Sequence, residues 1–365
     1  MPNDSTIHIT YIGRLVEEKG ILIVIDCIKR SIVEKRNIIW HICWDGEYME
    51  FFQKINNPWV LIYWYVDRTQ LTSILDKTDI VFMPSLFLET FWLVALETLS
   101  FGVPVCWFSR GWLQDFIHPS LAINPESPVD SFFSIVDKRD FPVVDVSDYS
   151  YDLWLERLKE LTKWAKKILM VNDYTHTVGW AEEYIKGLQD ALVIIWKDVE
   201  LFWYRWSVHR GIRILLMLCT PFAFWRGISI SRKINIFQPD IIWMHSILRY
   251  IGPYWLSVIS NFESKKYITH HDLGLITPRP SKIYTELDIP VSPNLGDWIP
   301  KEIHIWLIMS VLFKWITISW MWVSLRKTNI VHILPSKWMS PHIKKYIDTT
   351  PYIFPHTSKR NNSVK

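Results

Sequence analysis

Glu89 and Glu97 stand eight residues apart in DIVFMPSLFLETFWLVALETLSFGVP, residues 79–104, around an expected strand-to-helix junction. The run 79–84 reads as a buried parallel strand and 91–101 as the helix after it, so the loop between them lies where open α/β sheets bind ligands, at the carboxyl ends of strands. Glu89 then falls in the crevice. Glu97 falls in the first turns of the helix, where a carboxylate accepts two hydrogen bonds from a vicinal diol such as ribose while backbone N–H groups at the helix start face a phosphate. This is chemistry that grips a sugar nucleotide. Two solvated carboxylates would give the same spacing, because acidic residues favour the positive end of a helix dipole.

The flanking residues sharpen the choice. PSLFLETFWLVALETLSFGVPV resembles the donor-binding segment of retaining GT-B glycosyltransferases of family 4, also called group 1, whose pattern runs P-S-x-x-E-x-F-G-L-x-x-x-E-A-x-x-x-G-x-P-V. Upstream, YIGRLVEEKGI (11–21) is similar to that family's strand, Gly-Arg turn and Lys-Gly helix start. The resemblance implies that Arg14 and Lys19 contact the diphosphate, and that Gly13, Thr90, Phe91, Leu93 and Val94 line the nucleotide-sugar site with Glu89 and Glu97. Fixed cations suit that place, since the leaving nucleotide gains negative charge as the glycosidic bond breaks and two positive groups stabilise it without a metal. An ordinary solvated basic turn is the alternative for Arg14 and Lys19.

Tryptophan outnumbers glycine 22 to 12, although glycine normally makes up about 7% of a chain. Trp44, Trp64, Trp92, Trp112 and Trp180 stand where the resembling pattern has glycine. Such loops need positive φ or close backbone approach to phosphate, and an indole fills that space. The expectation is that many of these tryptophans are UGA codons which the source decodes as glycine. Genuine aromatic enrichment, in a membrane-interface belt or for carbohydrate stacking, does not predict coincidence with loop glycines.

The 365 residues can hold about two domains with full cores. A net charge of +3 gives no argument for a nucleic-acid partner, and no basic stripe with interleaved aromatics runs along the chain. Cys27, Cys43, Cys106 and Cys219 form no C-x-x-C pair and mostly lie in apolar runs, so buried reduced thiols in a cytoplasmic protein are expected. MPNDSTIHITYIG does not read as a signal peptide.

Strands are expected at 6–12, 38–43, 60–64, 79–83 and 104–108, with helices near 21–34, 50–54, 68–75, 92–101 and 112–116, making one doubly wound domain. A helix at 151–161 is expected to close it. KKILMVNDYTHTVGWAEEYIKGLQDAL (166–192) then starts a second strand, loop and helix, and looks like the beginning of a family 4 enzyme, with Gly179 and Trp180 at the family's Gly-Gly loop. FQPDIIWMHSIL, KKYITHHDLGLITP, VHILPSKWMSPHIKKY and YIFPHTS resemble later segments of the same half. The fold class is therefore α/β, with two Rossmann-like doubly wound domains in inverted order: a donor domain at 1–163 and an acceptor domain at 166–365. Circular permutation and a junction of two half-enzyme genes both fit that inversion.

IWLIMSVLFKWITISWMWVSL (305–325) is about long enough to span a membrane, but Lys314 sits mid-segment, so a buried or interfacial helix is favoured, with peripheral contact at the inner membrane face. His270, His271 and Asp272 do not read as metal ligands, because adjacent strand residues point to opposite faces. His271 matches the family's His-Asp position, where an imidazole hydrogen-bonds the donor sugar; a satisfied structural histidine is the alternative. The resemblance implies retaining, metal-independent transfer from a nucleotide-diphosphate sugar to a glycan or lipid-linked acceptor. In that scheme Glu89 holds sugar hydroxyls, His271, Glu89, Arg14 and Lys19 are the catalytic set, and the nucleotide sugar is a co-substrate with no further cofactor. A non-catalytic nucleotide-sugar-binding or scaffold protein is the competing expectation.

Overall fold

The computed structural model describes residues 6–55, 57–64, 66–87, 93–109, 111–172, 180–203, 224–245, 253–271, 274, 305–347 and 349–357. They fall into two compact units that meet in sequence between Ser150 and Tyr151. Each is built on a six-stranded sheet in which every described strand pair is parallel.

The first unit contains β1 (Ile7–Ile12), β2 (Ile38–Cys43), β3 (Val60–Tyr63), β4 (Ile80–Phe82), β5 (Val105–Phe108) and β6 (Ala122–Ile123), ordered β3-β2-β1-β4-β5-β6. Parallel strands covered on both faces read as unbroken apolar runs, and β1, β2, β4 and β5 are buried along almost their whole length. Helices α1 (Ile21–Val33), α2 (Met49–Gln53), α3 (Arg68–Leu75), α4 (Leu93–Ser100) and α5 (Pro128–Lys138) alternate with them. In α1 the buried Ile21, Val24, Ile25 and Ile28 recur at helical spacing, which turns one stripe to the core. Asp67 caps α3 with a capping box completed by Gln70. Cys27, Cys43 and Cys106 are buried free thiols, and burial pushes the Cys43 thiol up to about 12; Cys219 lies outside the described residues.

The second unit contains β7 (Lys167–Asn172), β8 (Asp198–Trp203), β9 (Ile241–Met244), β10 (Lys265–Thr269), β11 (Ile330–Leu334) and β12 (Tyr352–Ile353), ordered β12-β11-β10-β9-β7-β8. Its helices are α6 (Tyr151–Thr162), α7 (Trp180–Ile194), α8 (Phe224–Phe237), α9 (Tyr254–Ser260), α10 (Ile305–Lys327) and α11 (Met339–Lys344). Helix α6, expected to close the first domain, packs instead into the second core: Trp154 and Leu158 are buried with Ala165, Ile168 and Phe354, and the Trp154 and Phe354 rings lie 5.5 Å apart. Lys197 Nζ also donates to the carbonyls of Thr162 (2.9 Å) and Ala165 (2.6 Å), tying the end of α6 to the start of β8. In α10 the buried Ile318, Met321, Trp322 and Leu325 mark a core-facing stripe, and among the described residues no helix is long and apolar enough to cross a membrane.

Candidate functional site

Strand order in the first sheet reverses between β1 and β4. The chain leaves those two neighbours in opposite directions, which opens a crevice at their carboxyl ends where doubly wound sheets hold nucleotides. Gly13, Arg14 and Lys19 follow β1, and Leu93, Val94 and Glu97 lie on α4 after β4, so the structure brings two separate sequence motifs to one topological point.

Backbone hydrogen bonds hold these loops to each other. The Glu18 carbonyl accepts from the Leu86 N–H (2.9 Å), the Phe87 N–H (3.2 Å) and Ser85 Oγ (3.2 Å), clamping the loop after β1 onto the loop after β4. Gly20 makes that approach possible: its φ is +72°, and a Cβ there would sit 1.8 Å from the Pro84 carbonyl oxygen. Earlier in the same loop, Gly13 N–H donates to the Cys43 carbonyl (3.3 Å), Leu15 N–H to that of Asp45 (3.0 Å) and Tyr11 Oη to that of Arg14 (2.8 Å). Arg14 thus projects an exposed side chain from fixed backbone, while half-buried Lys19 places Nζ 5.8 Å from the centre of the Phe87 ring. Glu97 is half-buried on α4, between the buried Leu96 and Thr98. Two cations on a rigid loop and a carboxylate on the next helix can serve a diphosphate and a diol. Glu89, Thr90, Phe91, Trp92 and Gly179 lie outside the described residues, as do the side chains of Trp180, which opens α7, and Lys314.

In the second unit His271 follows β10 and is buried among aromatic partners from three other segments. His245, directly after β9, places Nδ1 3.1 Å from His271 Nε2, with the rings stacked at 5.3 Å. His356, after β12, stacks on His271 at 5.6 Å, and Tyr184 of α7 meets His271 edge-on at 5.4 Å. Burial pushes His271 down to about 3 and holds His245 and His356 well below the usual imidazole range. His270 turns to a different neighbour: its Nε2 lies 2.9 Å from Nδ1 of His332 on β11. Adjacent histidines with separate partners follow from strand alternation, and among the described residues no group of three or more His, Cys, Asp or Glu side chains could hold a metal ion.

The first unit carries a sequence signature of its own. Residues 2–120 match the family model of glycosyl transferases group 1. That match contains Gly13, Arg14, Lys19, Glu89 and Glu97. A curated relative from Klebsiella pneumoniae, described as an uncharacterized 41.2 kDa protein in the cps region, is 30% identical over 175 residues, which are 46% of this chain and 45% of the relative. The chain thus spans less than half the length of that relative. Among solved structures, the catalytic domain of cholesterol-alpha-glucosyltransferase from Helicobacter pylori is 16% identical, over 37% of this chain and 86% of that one, with a TM-score of 0.32. The C-terminal domain of a glycosyl transferase group 1 family protein from Francisella tularensis is also 16% identical, over 36% and 74%, with a TM-score of 0.32. Anabaena HepE with UDP and glucose is 18% identical, over 36% and 38%, with a TM-score of 0.31. Likeness of this degree says nothing about activity, and the α/β assignment rests on the two sheets themselves.

The group 1 match covers the loops after β1 and β4, whereas the histidine cluster forms from four segments of the second unit. Sequence reasoning singled out His271 and missed His245, His356 and Tyr184. Each of the two missed histidines closes a strand run, in IIWMH and YIFPH, a position that marks the ligand end of a parallel sheet. Tyr184 Oη and His245 Nε2 are buried with no hydrogen-bond partner among the described residues. Buried polar atoms left in that state are uncommon.

Proposed function

We propose that this chain is a retaining, metal-independent glycosyltransferase of GT-B type, with its donor-binding half first, moving a sugar from a nucleotide-diphosphate sugar to a glycan or lipid-linked acceptor. The observation that carries this reading is the convergence of Arg14, Lys19 and Glu97, all within the group 1 match, at the point where the order of the first sheet reverses. Glu97 accepts from the ribose diol. Arg14 and Lys19 meet the diphosphate, where charge grows as the anomeric bond breaks, so their stabilisation is greatest in the transition state. Glu89 holds sugar hydroxyls, and His271 hydrogen-bonds the donor sugar. The acceptor class draws support from the Klebsiella relative's description as a protein in the cps region.

Isothermal calorimetry with UDP tests the nucleotide site. Glu97→Ala removes a charge-assisted acceptor worth roughly 1.5–3 kcal/mol, so UDP affinity should fall about 10- to 100-fold. Unchanged affinity would remove Glu97 from the site. A panel of UDP-sugars then separates transferase from binding protein, because only the former releases UDP.

A further inference from the structure

We propose that Tyr48 is a positioning residue for the donor diphosphate: it holds the Glu17 carboxylate away from Arg14 and so keeps that guanidinium available to phosphate. The diphosphate belongs to the glycosyltransferase reading above, on which this assignment rests, and every residue involved lies in the first unit.

The loop after β2 lies directly on the loop that carries Arg14. Leu15 N–H donates to the Asp45 carbonyl (3.0 Å) and Tyr48 N–H to the Leu15 carbonyl (3.2 Å), with Gly46 so close that a Cβ there would sit 2.6 Å from that same Leu15 oxygen. The Tyr48 backbone is thereby fixed against the residue that follows Arg14. From there the side chain reaches Glu17, and Tyr48 Oη donates to Glu17 Oε1 at 2.6 Å, the length of a charge-assisted O–H···O⁻ bond. The bond to Glu17, then burial, then the charges of Glu17 and Glu47 push the phenol up from its ordinary value, so Tyr48 stays an O–H donor at neutral pH.

Glu17 is well placed to compete for Arg14. The two are three residues apart, at most about 11 Å along the backbone, and the Val16 N–H donates to the Arg14 carbonyl (2.9 Å), turning the chain back on itself between them. Yet Arg14 makes no ion pair among the described residues, although Glu17, Glu18, Asp45 and Glu47 stand on the same two loops. Asp45 is occupied by the Gly46 N–H, which donates to its Oδ1 at 2.7 Å. Glu18 and Glu47 are exposed, and nothing that Tyr48 does alters their access to Arg14. Glu17 is therefore the carboxylate whose access Tyr48 controls. Once released, it would pair with Arg14 and set a like charge beside the incoming phosphates, and both effects oppose nucleotide binding.

Calorimetry with UDP on the full chain tests this. Tyr48→Phe keeps the ring and loses the donor, so UDP affinity should fall about fivefold, the scale of one good surface ion pair. Glu17→Gln alone should change affinity by less than about twofold, and adding it to Tyr48→Phe should bring affinity back to within about twofold of the wild type, because no anion is left to compete. Glu17→Asp, whose shorter carboxylate withdraws from the phenol but keeps its charge, should weaken binding as Tyr48→Phe does, and it decides the matter if Tyr48→Phe does not fold. Undiminished affinity in Tyr48→Phe overturns the proposal. So does a double variant as weak as Tyr48→Phe alone, which would make the bond a tether between loops rather than a hold on charge. If the wild type does not bind UDP, the nucleotide reading falls and this assignment with it, whereas a wild type that binds UDP and is indifferent to the loss of the Tyr48 hydroxyl sinks this assignment alone.

Discussion

Trp196 occupies a backbone site built for glycine. Helix α7 ends in a Schellman arrangement: the Trp196 N–H donates to the Val193 carbonyl (3.0 Å), the Lys197 N–H donates to that of Leu192 (3.0 Å), and Trp196 has φ of +63°. The residue is 93% exposed, so its indole contributes no burial to offset the left-handed backbone. Trp44 lies further out, with φ of +112°, beyond the +50° to +70° that other residues tolerate. Lys35, Arg139 and Gln238 also have positive φ, but all three stay between +50° and +55°. Trp112 differs: it is buried against Phe116 with ring centres 4.0 Å apart, so the glycine expectation gains no geometric support at that position. Trp196→Gly should therefore raise stability by about 1 kcal/mol, seen as a higher melting temperature. Trp243→Gly, in the core, should cost several kcal/mol. A lower melting temperature for Trp196→Gly would count against recoding, and mass spectrometry of the protein from its native host would identify the residues at 44 and 196 directly.

At the scale of elements, the clamp between the loops after β1 and β4 holds together the proposed nucleotide site. Gly20→Ala would force a methyl group into the Pro84 carbonyl at a backbone angle of +72°, so the two loops must separate. A loss of at least about 2 kcal/mol is expected, together with weaker UDP binding, because Lys19 is carried on the displaced segment. Normal melting with unchanged UDP affinity would show that the clamp does not position the site. The five strands expected in the first unit are found within one residue of their expected bounds, since parallel strands buried on both faces announce themselves as apolar runs. Two-residue β6 is too short to show a period, while α5 carries a readable signal in Pro128 at its first turn and a buried Phe132, Phe133, Ile135 and Val136 face. The loops after β1 and β4 are legible because their residues are local in sequence. His245, His271, His356 and Tyr184 share a place only through the pairing of β9, β10, β11 and β12 and the packing of α7, so no local spacing reveals them.

Across the whole molecule, buried imidazoles are unevenly divided, and this gives the two units different responses to acid. In the second unit His245, His270 and His356 are held well below the usual imidazole range, with His271 near 3 and His332 near 4, burial being the leading cause in each. In the first unit His41 is lowered to about 4, by burial and then by His8 and Lys77. The folded pKa values lie below the unfolded value of about 6.5, so between the two the unfolded chain binds more protons than the folded one. Stability is then complete above about pH 6.5 and falls as pH drops toward 3–4, by roughly 1.4 kcal/mol per pH unit for each histidine that stays neutral. Close pairs such as His270 with His332 moderate this slope, because one protonated ring can donate to its neutral partner. The lowered carboxylates Glu34, Asp145 and Asp240 titrate below the ordinary carboxylate range, which leaves the window from pH 6.5 to about 4.5 to the histidines. Hydrogen exchange read by mass spectrometry, corrected for the intrinsic pH dependence of exchange, should show β9, β10 and β11 losing protection at a higher pH than β1, β2 and β4. Protection lost equally in both units, or unchanged down to pH 4.5, would mean that the imidazole cluster of the second unit does not set its acid stability.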